Sequence, residues 1–145
     1  MRIAFYLNSI LIIFITCTPA HSKSFGDYYG AVYVKSYDGD TITLDLPRLH
    51  PIIGDKISIR VNGIDTPEIK GKCEKEKYDA KQAKEMVADI LKYAEQIALK
   101  NMKRGKYFRI AADVIVDGEG LADVLIEAGM AVRYDGGRKA HKWCD

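Results

Sequence analysis

Two short acidic segments, Asp38-Gly39-Asp40-Thr41 and Asp65-Thr66-Pro67-Glu68, stand on either side of Arg60, and a second arginine, Arg109, follows further along the chain. Carboxylate oxygens are the ligands a hard divalent cation takes. Guanidinium forks match phosphate oxygens. Carboxylates alone would repel a phosphate, but a bound cation inverts that field. Together these residue types point to a divalent cation held against a nucleic-acid phosphate, provided the two segments meet. Each segment alone is ordinary. Asp-Gly is a hairpin turn signal, and Asp or Thr before Pro, then Glu, is how a helix starts.

The elements that would bring the segments together are strands. Tyr29 to Ser36 alternates, with Val32 and Val34 on one face and Tyr33 and Lys35 on the other. Asp40 to Leu46 is its hairpin return, and Ile42, Leu44 and Leu46 share parity with Asp40. Lys56 to Ile64 is a third strand, whose Ile57, Ile59 and Val61 share parity, through Gly63, with Asp65. Two successive strands therefore each carry an aspartate where the core face reaches the end of the sheet. A lone buried carboxylate is costly, so each needs hydrogen bonds or a cation. Arg60 has the opposite parity, and only a bulge or twist near Gly63 can turn it toward Asp65.

The remaining pattern supplies the support. Pro47 to Asp55 reads as a loop. From Lys75 to Ala98 the period becomes helical, with Ala80, Ala83, Val87, Ile90, Ala94 and Ile97 on one side, and a strand follows around Ile97 to Met102. Tyr107 to Val116 is a fifth strand and Asp117-Gly118 a turn. Leu121, Val124, Leu125 and Ala128 mark a short helix stopped by Gly129. Five strands, a long helix after the third and a short helix after the fifth predict an α+β, mainly β chain. Its fold class is a five-stranded OB-type Greek-key barrel.

The chain has 145 residues, the length of one domain. Residues 1–22 read as a secretory signal peptide: Met1-Arg2, an apolar run from Ile3 to Cys17, and small residues for cleavage near 20–22. That leaves 23–145 as a single domain, exported to the periplasm or secreted. The whole chain has a net charge of +2, and losing Arg2 lowers it by one, too little to predict a nucleic-acid partner. Two basic runs, Lys100 to Arg109 and Arg133 to Lys142, concentrate the charge, and each alone would be a solvated face. Cys73 and Cys144 remain after processing. An even count in an exported chain suggests a disulfide, and two free thiols are the alternative.

In order and spacing, these segments resemble the thermonuclease family, the staphylococcal-nuclease-like calcium-dependent nucleases. The matching residues are Asp38-Gly39-Asp40-Thr41; Ile59-Arg60 through Ile64-Asp65-Thr66-Pro67-Glu68; Lys106-Tyr107-Phe108-Arg109; and Asp117-Gly118 with the helix ending Glu127-Ala128-Gly129-Met130-Ala131. The resemblance covers roughly Val32 to Arg133. It implies Asp40, Asp65 and the Thr66 carbonyl as ligands of Ca2+, Glu68 to orient or deprotonate water, and Arg60 and Arg109 to grip the scissile phosphate. Lys106 and Tyr107 would meet the other phosphate of the bound nucleotide, with Tyr134 on the cleft wall. The implied reaction is hydrolysis of DNA and RNA to 3′-phosphate ends by a monomer without stable membrane association. The alternative is a non-catalytic OB-fold nucleic-acid-binding module. Three departures stand out: Phe108 replaces a glycine, Asp135 follows Tyr134 where another tyrosine is expected, and the family's C-terminal helix has no counterpart. A Cys73–Cys144 bridge would tie the short tail down in that helix's place.

Overall fold

The computed structural model describes residues 24–105 and 109–145. The expected signal peptide, and Lys106, Tyr107 and Phe108, lie outside the described residues. The elements are β1 (Tyr28–Tyr29), β2 (Val32–Ser36), β3 (Thr41–Asp45), α1 (Pro51–Gly54), β4 (Ile57–Val61), β5 (Ile64–Asp65), α2 (Glu74–Lys92), β6 (Ile97–Arg104), β7 (Ile110–Val116), β8 (Glu119–Gly120), α3 (Leu121–Glu127) and β9 (Val132–Arg133).

The main sheet runs β1-β6-β7-β4-β3-β2, with β8 on β7, and β5 pairs separately with β9. Every pairing is antiparallel except β4 with β7. That parallel pair is the consequence of α2, which carries the chain across before the β6–β7 hairpin returns to the third long strand. The result is a curled, mixed half-barrel with three helices, of the OB type and α+β in class. Its five longer strands are the five that alternation predicts.

The core follows the parity read from sequence. Ile42, Leu44 and Leu46 of the β3 segment, Ile59 and Val61 of β4, and Ala112 and Val114 of β7 are buried. The stripe Ala80, Ala83, Val87 and Leu91 of α2 packs over them at helical spacing. Leu121 and Leu125 of α3 complete the core.

Three local expectations change. The long helix ends at Lys92, short of Ala98. The Asp117 carboxylate accepts the backbone N–H of Gln96 at 2.7 Å and of Glu95 at 3.3 Å, which draws the chain out into β6. The segment expected as a loop from Pro47 contains a one-turn helix, with Pro51 at its start, where a missing N–H costs nothing. In β2 the two valines face outward, and Tyr33 packs on the core beside a register shift between Tyr33 and Lys35. Among the described residues no helix is long and apolar enough to cross a membrane.

Candidate metal and phosphate site

The two acidic turns meet at one end of the half-barrel. The side chain of Asp38 caps its own turn, its Oδ1 accepting N–H bonds from Asp40 at 3.2 Å and Thr41 at 2.7 Å. Gly39 then passes so close to the second turn that a Cβ there would lie 2.9 Å from Thr66 Cγ2 and 3.0 Å from Ala83 Cβ. Glycine is needed here for close approach. Thr66 is itself buried, so the second turn is fixed by packing against the first and against α2.

Gly63 resolves the parity conflict. Its φ of +79° closes an Asn62-Gly63 turn between β4 and β5, a conformation that favours glycine. The turn shifts the alternation, and Arg60 faces both aspartates. Arg60 Nη1 donates to Asp40 Oδ1 at 2.5 Å, and Nη2 lies 4.0 Å from Asp65 Oδ1. The backbone repeats the link, with Val61 N–H donating to Asp40 O at 2.8 Å. Both aspartates are buried. Burial pushes the Asp40 carboxyl up to about 7, against the downward pull of Arg60 and with a further upward push from Asp38. The pair thus sits in a charge-hungry pocket with one guanidinium between two carboxylates.

Outside the turns lies a cleft lined by Tyr37, Asp38, Thr41, Arg60, Glu68, Arg109, Tyr134 and Lys139. Arg109 immediately precedes β7, whose Ile110 and Ala111 pair with Ile59 and Arg60, so the parallel pairing delivers both arginines to one opening. Tyr134 is anchored by its N–H to Gly63 O at 2.9 Å and by its hydroxyl to Gly137 O at 2.6 Å. Of the residues expected to do chemistry, Asp40, Asp65, Thr66, Arg60, Glu68, Arg109 and Tyr134 therefore share one end of the fold. Lys106 and Tyr107 are not among the described residues.

Three contributors escape sequence reasoning. Glu76 is buried at the start of α2, where its Oε1 accepts Glu68 N–H at 3.4 Å and its Oε2 accepts Lys72 N–H at 2.8 Å. It holds the loop that carries Glu68. The signal was present: Glu76 lies one turn before Ala80 on the apolar stripe, a carboxylate where core residues belong. Lys139 is the second. Its Nζ lies 2.6 Å from both Asp65 Oδ1 and Glu68 Oε1. Burial pulls the Lys139 ammonium down, but pairing with the two carboxylates outweighs it and holds the group above its ordinary range. Trp143 is the third, its Nε1–H donating to Asp65 Oδ2 at 3.4 Å. A disulfide between Cys73 and Cys144 fixes this tail beside α2, and Cys73 Sγ also accepts the Glu76 N–H at 3.4 Å.

Among the described residues, two buried side-chain oxygens have no hydrogen bond, Asp40 Oδ2 and Asp65 Oδ1. The latter has the Lys139 ammonium at 2.6 Å as an ion-pair partner, which leaves Asp40 Oδ2 as the oxygen with none. Buried carboxylate oxygens are rarely left so. An oxygen-only pair of this kind suits a hard cation, so the residues present fit a divalent ion. The fit rests on these two aspartates. Asp40, Asp65 and Glu68 do not converge as three ligand atoms, whereas Cys73, Glu76 and Cys144 do, within 4.8 Å, and those sulfurs are joined in the disulfide.

Two comparisons bear on this site. The family model for Staphylococcal nuclease homologue matches residues 58–143. That span contains Arg60, Asp65, Glu68, Arg109 and the tail, and it begins after Asp40. No curated protein matches the chain.

Proposed function

The chain belongs to the staphylococcal nuclease homologue family, and from that membership we propose an exported, calcium-dependent nuclease that hydrolyses phosphodiester bonds of DNA and RNA to 3′-phosphate ends. The observation that carries the reading is the pair of buried carboxylates Asp40 and Asp65, with Asp40 Oδ2 unpartnered and Asp65 Oδ1 met by the Lys139 ammonium, set behind a cleft shared by Arg60, Glu68 and Arg109. A purely structural fold has no use for two arginines and a glutamate at the mouth of such a pair.

In this reading Asp40 and Asp65 hold the cation, with the Thr66 carbonyl as a further ligand. When bound, calcium supplies Lewis-acid polarisation and neutralises phosphate charge. Arg60 and Arg109 bind the phosphate and stabilise the charge that builds on its oxygens during attack. Glu68 takes a proton from the attacking water. The new bond forms between water oxygen and phosphorus, the bond from phosphorus to the 5′-oxygen breaks, and that oxygen takes a proton from solvent to leave as a hydroxyl, with phosphate left on the 3′ side. Glu76 positions Glu68 through the loop backbone. Lys106 and Tyr107 would bind the neighbouring phosphate, and Tyr134 the nucleotide beside it. The enzyme acts as a monomer in the periplasm or outside the cell, after its signal peptide is removed.

The test is release of acid-soluble nucleotide from DNA and from RNA by the mature protein, with calcium and then with chelator. Release should require calcium and fall by about a hundredfold to a thousandfold, the cost of losing one transition-state donor, in Arg60→Ala and in Arg109→Ala. DNA retarded on a gel but left uncut would instead identify a binding module. A calcium-dependent rise in melting temperature without either would leave only a structural cation.

A further inference from the structure

Lys139 is a charged residue of this site that the proposed reaction does not use. It comes from the tail, far from the acidic turns in sequence, and is fixed there from both sides. Upstream, the Tyr134 N–H is bonded to Gly63 O. Downstream, Trp143 O accepts a bond from Lys75 Nζ at 3.1 Å, and Cys144 is joined to Cys73. Between these anchors the ammonium reaches 2.6 Å from Asp65 Oδ1 and 2.6 Å from Glu68 Oε1. It bridges one proposed ligand of the cation and the proposed general base.

We propose that Lys139 is a tethered counter-ion that a divalent cation must displace from Asp65, so that the tail sets the affinity of the metal site. The inference rests on the calcium reading above. Its physical basis is simple repulsion. An ammonium and a dication cannot share one buried carboxylate without mutual repulsion, which is strong where water screens poorly. Arg60 lies farther off, 4.0 Å from the same oxygen, and has Asp40 as its closer partner. The Lys139 side chain is 40% exposed on a long aliphatic stem, so its ammonium has room to swing out into the cleft without disturbing the core. In doing so it frees Glu68 and joins Arg60 and Arg109 along the cleft that all three line.

Calcium titration calorimetry on the oxidised mature protein tests this, with Lys139→Met and Lys139→Arg beside the wild type and melting temperature as a second readout. Lys139→Met keeps the length and apolar bulk of the stem and removes the charge. It should bind calcium about tenfold tighter or more, a change of roughly 1.4 kcal/mol, and show a larger calcium-induced rise in melting temperature. Lys139→Arg keeps the charge and should stay within about threefold of the wild type. Equal or weaker binding by Lys139→Met, with clear binding by the wild type, overturns the tethered counter-ion and leaves the calcium site standing. Absence of calcium heat and of any melting shift in all three proteins overturns both.

Discussion

The site has two walls, built in different ways. The wall of acidic turns is made by core packing: Gly39 against Thr66, Asp38 capping its own turn, and buried Asp40 and Asp65 at the ends of core faces. The opposite wall, from Tyr134 to Trp143, is mostly exposed and has no regular structure beyond β9. It is held by point attachments: the Tyr134 N–H on Gly63 O, the Lys139 ion pairs, the indole of Trp143 on Asp65, Lys75 on Trp143 O, and one covalent link. The first wall is therefore as stable as the core, while the second depends on a few contacts that can be cut one at a time. A cleft with one rigid and one tethered side can keep its ligands in register while the other side adapts.

The largest expected effect comes from cutting the tether. The Cys73–Cys144 link closes a loop with a sequence separation of 71 residues. Removing that constraint on the unfolded chain should cost roughly 4 kcal/mol by the chain-entropy argument. Urea unfolding of Cys73→Ser/Cys144→Ser against the oxidised parent measures it. A loss under about 1 kcal/mol would mean that the unfolded chain keeps its ends together without the bond, and the contrast between the walls would weaken.

The next effect belongs to the rigid wall and is read through pH. Burial raises the Asp40 carboxyl to about 7 in the metal-free fold, whereas an unfolded aspartate titrates near 3.8. Between these values the folded chain binds more protons than the unfolded chain, so stability falls as pH rises from about 4 to about 7. Each unit of difference is worth about 1.4 kcal/mol. Unfolding in chelator across that range, with Asp40→Asn subtracted, isolates the group. The difference should shrink steadily toward neutral pH, and a cation that binds the carboxylate should reduce the loss. A flat difference would show that Arg60 alone compensates the buried charge.

How far each wall was legible in the sequence follows the same division. Alternation in β3 put Asp40 at the end of a core face because parity is a local property, and Asp40 is buried; Asp65 is buried too, but Ile64 and Thr66 beside it are equally so, and alternation does not account for it. Gly63 was visible as the place where the register had to change, since only a local backbone turn could bring Arg60 to Asp65. The end of α2 was not legible. No proline or glycine marks it, and the group that stops it, Asp117, arrives from the turn after β7. Lys139 and Trp143 were hidden for the same reason. No periodicity links the tail to Asp65, and their placement depends on where a disulfide and a loop happen to dock it. Glu76 lay between these cases, readable as a charge on an apolar stripe but not as the anchor of the Glu68 loop.

A smaller effect probes the junction of the acidic turns. In Gly39→Ala the new methyl would meet Thr66 and Ala83 at 2.9–3.0 Å, and both neighbours are packed. Overpacking of this kind costs about 1–3 kcal/mol. It should also move Asp40 relative to Asp65, so under the proposed function calcium affinity and nuclease rate should fall together with stability. A variant as stable and active as its parent would show that the two turns can separate, and the rigid wall would not be rigid.

The smallest effect is expected at Tyr134→Phe. The substitution removes a single hydroxyl bond, to Gly137 O, and leaves both the backbone bond to Gly63 and the ring in the cleft. A neutral hydrogen bond contributes about 1 kcal/mol, and less where water can replace it. Stability should therefore fall by under about 1 kcal/mol, and the ring should stay in the cleft. Loosening Gly136 and Gly137, both at positive φ, frees the chain just before Lys139. If the tail is held by independent points, as its geometry argues, the disulfide and Trp143 keep it docked, and urea unfolding shows only this small loss. A loss above about 2 kcal/mol would mean that the attachments act cooperatively, and that the second wall is a folded unit in its own right.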